Sequence, residues 1–277
     1  MGDEKPKGAL ATVAEHLSKP VYEDALQPVA KETGQALGAA GSFLRLAVRP
    51  FQSFALGLHL GFDWLDEALR GKFEGVPPEK IVEPPPNVAG PLMLAAGFTS
   101  AGQNELRNLY AQLLATAMHA DKQDDAHPAF VEMLRQLTPR EAVLLKLLAV
   151  GRTHAAILAG VNQHGKITTS GGLTLTAFPD QSELSAEQHT VGLGNLERLG
   201  LIETDFDVQL TDASRYELLK TGRAVRSWDA SARHQGIEPA YSEGVLRVTP
   251  LGQKFIKACL DIEVGPMGGR ESPGSVG

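Results

Sequence analysis

The chain has 277 residues, 43% hydrophobic and 21% charged, an ordinary globular composition with room for one large or two medium domains. Its net charge of −7 speaks against a surface built throughout for polyanions, and a single cysteine, Cys259, excludes an internal disulfide and a cysteine-cluster zinc site. The polar, charged start has no apolar core of a signal peptide and fits a cytoplasmic, reducing setting.

Residues 1–20 read as a disordered tail. Residues 21–71 read as helical and rich in small residues, with Gly34, Ala36, Gly38, Ala39, Ala40 and Gly41 on neighbouring turns. Glycine costs about 1 kcal/mol against alanine inside a helix, so such a run suits the close approach of a second backbone. Beyond Pro50, Phe51, Phe54, Leu58, Phe62, Leu65 and Leu69 fall at helical spacing. Phe54, Leu56, Leu58, Leu60 and Phe62 also alternate at the strand period, but the helix formers that follow favour helix. Residues 50–62 carry no formal charge, yet thirteen residues fall short of the ~18–20 that a membrane-spanning helix needs. Phe51, Phe54, Leu58, Phe62 and Trp64 are the candidates for contact with a membrane surface or a protein partner. A buried helical hairpin is the plainer reading of the same residues.

Six prolines between 72 and 91 predict an extended strap and the clearest boundary in the chain. Residues 92–136 read as helical again. Ser100 and Gln103 have capping-box spacing, and Leu106, Leu109, Tyr110, Leu113, Leu114 and Ala117 make a continuous apolar stripe. His127-Pro128 opens a helix carried by Phe130, Val131, Leu134 and Leu137. Residues 137–263 read as a winged-helix-like domain with an insertion at 211–240. Thr138-Pro139-Arg140-Glu141 starts a helix apolar nearly all round, and Ser185 to Gln188 open another that Gly200 ends. Leu201 to Phe206 and Val245 to Val248 pair as a hairpin, and Thr249-Pro250 starts a last helix with Leu251, Phe255, Ile256, Cys259 and Leu260 inward. Residues 264–277, rich in Gly and Pro, read as a disordered tail. The fold class expected is therefore mainly α with a small β-hairpin.

Chemistry is sparse. The helix following Ser185 offers one base, Arg198, against Glu187 and Glu197, which disfavours its use in a DNA groove. From 215 to 233, Arg215, Lys220, Arg223, Arg226 and Arg233 face only Glu217 and Asp229, with Tyr216 and Trp228 interleaved. Arg215, Lys220, Arg223, Arg226, Trp228 and Arg233 are the candidates for anion or nucleic-acid contact, against the plainer reading of a solvated helix. His119, Asp121, Asp124, Asp125 and His127 resemble a metal cluster by composition, but His127-Pro128 is explained as a helix start. No catalytic residue, cofactor or metal site is expected, and no small-molecule ligand is indicated.

Five stretches carry a family resemblance. They are Tyr22-Glu23-Asp24-Ala25-Leu26-Gln27-Pro28, Ile81-Val82-Glu83-Pro84 with Val88-Ala89-Gly90-Pro91, Leu113-Leu114-Ala115-Thr116-Ala117-Met118, His127-Pro128-Ala129-Phe130-Val131 and Gln136-Leu137-Thr138-Pro139. Their order and spacing over 20–260 resemble the Abi-alpha family. That is a bacterial family associated with abortive infection, in which an infected cell stops growing before phage matures. The resemblance implies a defence role and lends no catalytic residues; it is not matched around Gly34 to Gly61 or at 211–240. The expectation is a non-enzymatic anti-phage protein, cytoplasmic or peripheral at the inner membrane. In it a helical effector region is joined to a winged-helix sensing or assembly module, and a protein partner or self-association is expected. The alternative is a nucleic-acid-binding winged-helix regulator that uses the basic insertion.

Overall fold

The computed structural model describes residues 63–163, 166–176, 184–265 and 271–273, with side chains described in all but parts of 161–176 and 271–273. The expectations for 1–62, including Phe51, Phe54, Leu58 and Phe62, lie outside the described residues. Nine α-helices stand among the described residues: α1 (Asp63–Lys72), α2 (Pro86–Gly97), α3 (Asn104–Ala117), α4 (Pro128–Arg135), α5 (Pro139–Leu148), α6 (Ala186–Arg198), α7 (Ser214–Lys220), α8 (Arg223–His234) and α9 (Pro250–Leu260). Strands β1 (Thr153–Gln163), β2 (Lys166–Thr176), β3 (Ile202–Asp205) and β5 (Pro239–Val248) form an antiparallel sheet in the order β2-β1-β5-β3. The protein is thus mainly helical, but its sheet is larger than the small hairpin expected. β4 (Val208–Leu210) pairs with β6 (Glu271–Pro273), so the tail expected to be disordered contributes one short strand.

α3 is the hub. It buries Leu106, Leu109, Tyr110, Leu113, Leu114 and Ala117, as the stripe predicts, and also Ala111, Gln112, Ala115 and Thr116. Ser100 and Gln103 do meet, through a Ser100 N–H to Gln103 Oε1 bond of 2.9 Å, but in a turn ahead of the helix. α1, α2, α4, α5 and α9 surround α3. The Thr116 hydroxyl donates to the Ala258 carbonyl at 2.8 Å across a buried contact between α3 and α9. One apolar core therefore runs from Leu65 to Cys259, taking residues from both sides of the expected 136/137 boundary.

The strap is shorter than its prolines suggest. Ile81 bridges to His119, the Val82 N–H donates to Met118 O and the Ala120 N–H to Lys80 O, each at 2.8 Å. From Pro86 the chain is helical where extended chain was expected. Pro86 sits in the first turn, where its missing N–H costs nothing. Pro91 frees the Asn87 carbonyl, but both residues are exposed, so water can take that bond.

Local signals placed α5 and α6. Thr138 with Glu141 and Ser185 with Gln188 form full capping boxes. α6 ends in the paired bonds Gly200 N–H to Glu197 O (2.8 Å) and Leu201 N–H to Leu196 O (3.0 Å), with Gly200 at φ 72°. α5 is buried on one side rather than all round, and Val150 beyond it is 68% exposed. α9 buries Phe255, Ile256 and Cys259 as expected, while Leu251 faces outward and Gly252 inward.

Gly252 is fixed by contact. Thr249 Oγ1 accepts from the Gly252 N–H at 2.9 Å and donates to Gly200 O at 2.6 Å, which lays the start of α9 on the end of α6. A Cβ at Gly252 would lie 2.0 Å from Leu201 O, which is backbone and cannot swing away. Gly252→Ala should lower stability by about 3 kcal/mol, the upper range for overpacking. Urea unfolding of the variant checks this, and an unchanged midpoint would mean the contact relaxes freely.

His189 on α6 is fully buried, and burial pushes its imidazole down to about 4 although the Thr174 carbonyl bonded to the ring favours the charged form. Above pH about 6.5 the ring is neutral in both folded and unfolded chains, so it contributes no pH dependence there. Between that value and about 4 only the unfolded chain takes up the proton, and stability falls by about 1.4 kcal/mol per pH unit. Unfolding at pH 7.5 and pH 5 should differ by about 2 kcal/mol on this account, and His189→Gln should remove that share. An equal drop in the variant would assign the effect elsewhere. His154, also lowered by burial, acts in the same direction.

Candidate functional site

The insertion is built onto the sheet. Ala155, Ile157, Ala159 and Val245 face away from the main core, and Leu210, Tyr216, Leu219 and Val225 cover them as a second apolar cluster. Asp212 Oδ1 accepts from the Ser214 N–H (3.1 Å) and hydroxyl (2.6 Å), which opens α7. Tyr216 then turns inward. Its hydroxyl accepts from the Leu210 N–H at 2.7 Å and donates to Gly244 O at 3.0 Å, stapling β4 to β5.

The six candidate residues of this insertion separate into two groups. Lys220 is half-buried between Glu217 (3.0 Å) and Glu243 (2.8 Å). Trp228 is partly buried and packs edge-on against Tyr241 at 6.1 Å, beside the second cluster. Arg215 is half-buried, close enough to His154 for its charge to be felt there. Arg223, Arg226 and Arg233 are exposed. At 100° per residue they fall with His234 within about 100° of arc on α8, opposite the buried Val225 and Ala232. Asp229 borders this face, but it accepts the Tyr241 hydroxyl, and Arg233 lies 3.9 Å from it. That hydrogen bond and burial together hold the Tyr241 phenol well above its ordinary range.

Trp64, the one apolar candidate among the described residues, is partly buried against the core under the Arg107 guanidinium, 4.7 Å from its ring. Arg107 in turn donates to Thr99 O at 2.9 Å. The next residue back, Phe98, is 75% exposed, and Leu94 one turn earlier also faces out. An uncharged stretch from 84 to 104 therefore ends in an apolar edge beside the place where α1 begins.

In the loop after α3, His119, Asp121, Asp125 and His127 have structural tasks, while Asp124 is exposed. His127 Nδ1 accepts from the Ala129 N–H at 3.1 Å and His119 Nδ1 from the Asp121 N–H at 3.2 Å. Asp121 pairs with Lys80, and Asp125 with Lys257 at 3.1 Å. Among the described residues no group of three His, Cys, Asp or Glu side chains could hold a metal ion. Cys259 is fully buried, and burial pushes its thiol well up.

Sequence reasoning missed two features. His154 Nε2 lies 3.0 Å from Leu148 O and 2.9 Å from Gly151 O, fixing the turn from α5 into β1, and no spacing announces it. An open groove of about 490 Å³ lies between the starts of α5 and α6, lined by Thr138, Glu141, Leu144, Leu184, Val191 and Gly192. Val191 at 70% exposure was its one legible trace, an apolar residue on a polar helix face.

Among solved structures the chain is similar to an uncharacterized protein from the hydrocarbon-degrading marine bacterium Alcanivorax borkumensis SK2, at 17% identity over 58% of this chain and 97% of that one, with a TM-score of 0.31. No curated protein matches the chain. Residues 59–259 match the model of the family described as abortive infection alpha. That match takes in α1 to α9 almost entirely and well over half of the sequence, and the chain belongs to the abortive infection alpha family.

Proposed function

We propose that this protein is a non-enzymatic anti-phage defence protein of the abortive-infection kind. Its N-terminal helical part is the effector, working at a membrane surface or on a protein partner, and residues 137–263 are a winged-helix-like sensing or assembly module. Family membership over 59–259 is the observation that carries the defence role.

The strand order β1-β5-β3 supports the module, with α6 feeding β3 through a tight turn and the insertion lying between β3 and β5. The exposed Leu94 and Phe98 support the effector, as apolar residues open to solvent next to Thr99, whose carbonyl is tied by Arg107 to Trp64 in the first turn of α1. No helix among the described residues is long and apolar enough to cross a membrane.

Expression in a phage-sensitive host should lower plating efficiency, and at high multiplicity the infected cells should stop growing before they release progeny. Part of the full-length chain should move to the membrane fraction after challenge. Phe51→Ser with Phe54→Ser should abolish both protection and movement. Protection that survives this double change, with the chain in the soluble fraction throughout, would remove the membrane effector. Loss of plating with normal bursts from infected cells would remove the abortive mode.

A further inference from the structure

α8 carries three exposed arginines on one outward face, opposite the buried Val225 and Ala232. Arg223, Arg226 and Arg233 span ten residues, about 15 Å at 1.5 Å per residue. That matches four to five steps of a duplex strand at about 3.4 Å each. Below them Val225, Ala232 and Trp228 seat the helix on the sheet, so the guanidiniums stand on a rigid platform rather than on a loose loop.

The acids near this face are largely engaged inward. Asp229 accepts from Tyr241 and lies 3.9 Å from Arg233, at the edge of the face, while Glu217 and Glu243 hold Lys220. Glu238, beyond the helix end, is exposed. α6, the helix that precedes β3, is unsuited to the same task. It exposes Glu187 and Glu197, and its one cation, Arg198, is occupied by Asn195 Oδ1 at 2.7 Å and Gln136 Oε1 at 2.9 Å.

We infer that the outer face of α8 binds the phosphodiester backbone of nucleic acid, through Arg223, Arg226 and Arg233, and reads no bases. Guanidinium forks match phosphate oxygens two at a time, which fits three arginines and no lysine on this face. With Trp228 turned inward, nothing on the face stacks on bases, so affinity depends on charge density alone. The site stands independently of the membrane effector proposed above and gives the module a partner.

The test is fluorescence anisotropy of the full chain with a labelled 30-base-pair DNA duplex between about 50 and 200 mM salt. Three phosphate contacts give a slope near +2.7 in log Kd against log salt, or about 40-fold weakening over that range. A single strand should show a slope near +2.1. The triple variant Arg223→Gln, Arg226→Gln, Arg233→Gln should keep its circular dichroism and lose binding at 50 mM salt. Arg198→Gln should bind like the parent. No saturable binding at 50 mM salt overturns the site, as does an unchanged slope in the triple variant. More than tenfold preference for one duplex sequence overturns the backbone-only reading. Tighter binding to phosphatidylglycerol vesicles than to duplex, lost in the triple variant, transfers the face to an anionic lipid surface and overturns the nucleic-acid assignment.

Discussion

Val245 and Leu246 are neighbours on β5, both fully buried, and as neighbours in a strand they point to opposite faces. The same holds for Ala155 and Ala156 on β1, which pairs with β5. A sheet apolar on both faces must be covered twice. The first cover comes from the helices around α3, and the second from β4 and the insertion, with Ala186 of α6 at its side. α7 and α8 are therefore part of the scaffold.

This double burial also explains what the sequence made legible. Helices α5 and α6 announce themselves through Thr138, Ser185 and Gly200, because a cap is a contact between residues three or four apart. β3 and the end of β5 are legible for a similar reason, lying directly against a tight turn and a helix start. β1 was illegible. Ala155-Ala156-Ile157 shows neither the alternation of a half-buried strand nor the stripe of a helix, because every position is inside. Pro86 and Pro91 misled in the other direction, since a proline at a helix start or on a wet face does not stop a helix.

The candidate site was half legible. Composition marked the basic run, but composition does not say which bases share a face. Helical phase puts Arg223, Arg226 and Arg233 together, and only the fold shows that Lys220 is consumed by Glu243, far off in sequence on β5. Trp228 shows the same limit: beside arginines it reads as a stacking group, and only the fold shows its ring packed against Tyr241. The polar loop at 119–127 shows the reverse case, where a suggestive cluster dissolves into caps and ion pairs once Lys80 and Lys257 arrive from elsewhere.

The buried bond from Thr116 to Ala258 spans 142 positions. A ribosome adding about 5–20 residues per second needs about 7–28 s to cover that stretch. Throughout this interval the nascent α3 lacks the helix that closes its apolar face, and β1 waits for β5 more than half as long. Vectorial synthesis thus leaves the earliest-made helices unsealed until the last element emerges. A chain terminated early, before α9, would leave open the apolar face of α3 that α9 covers in the folded molecule.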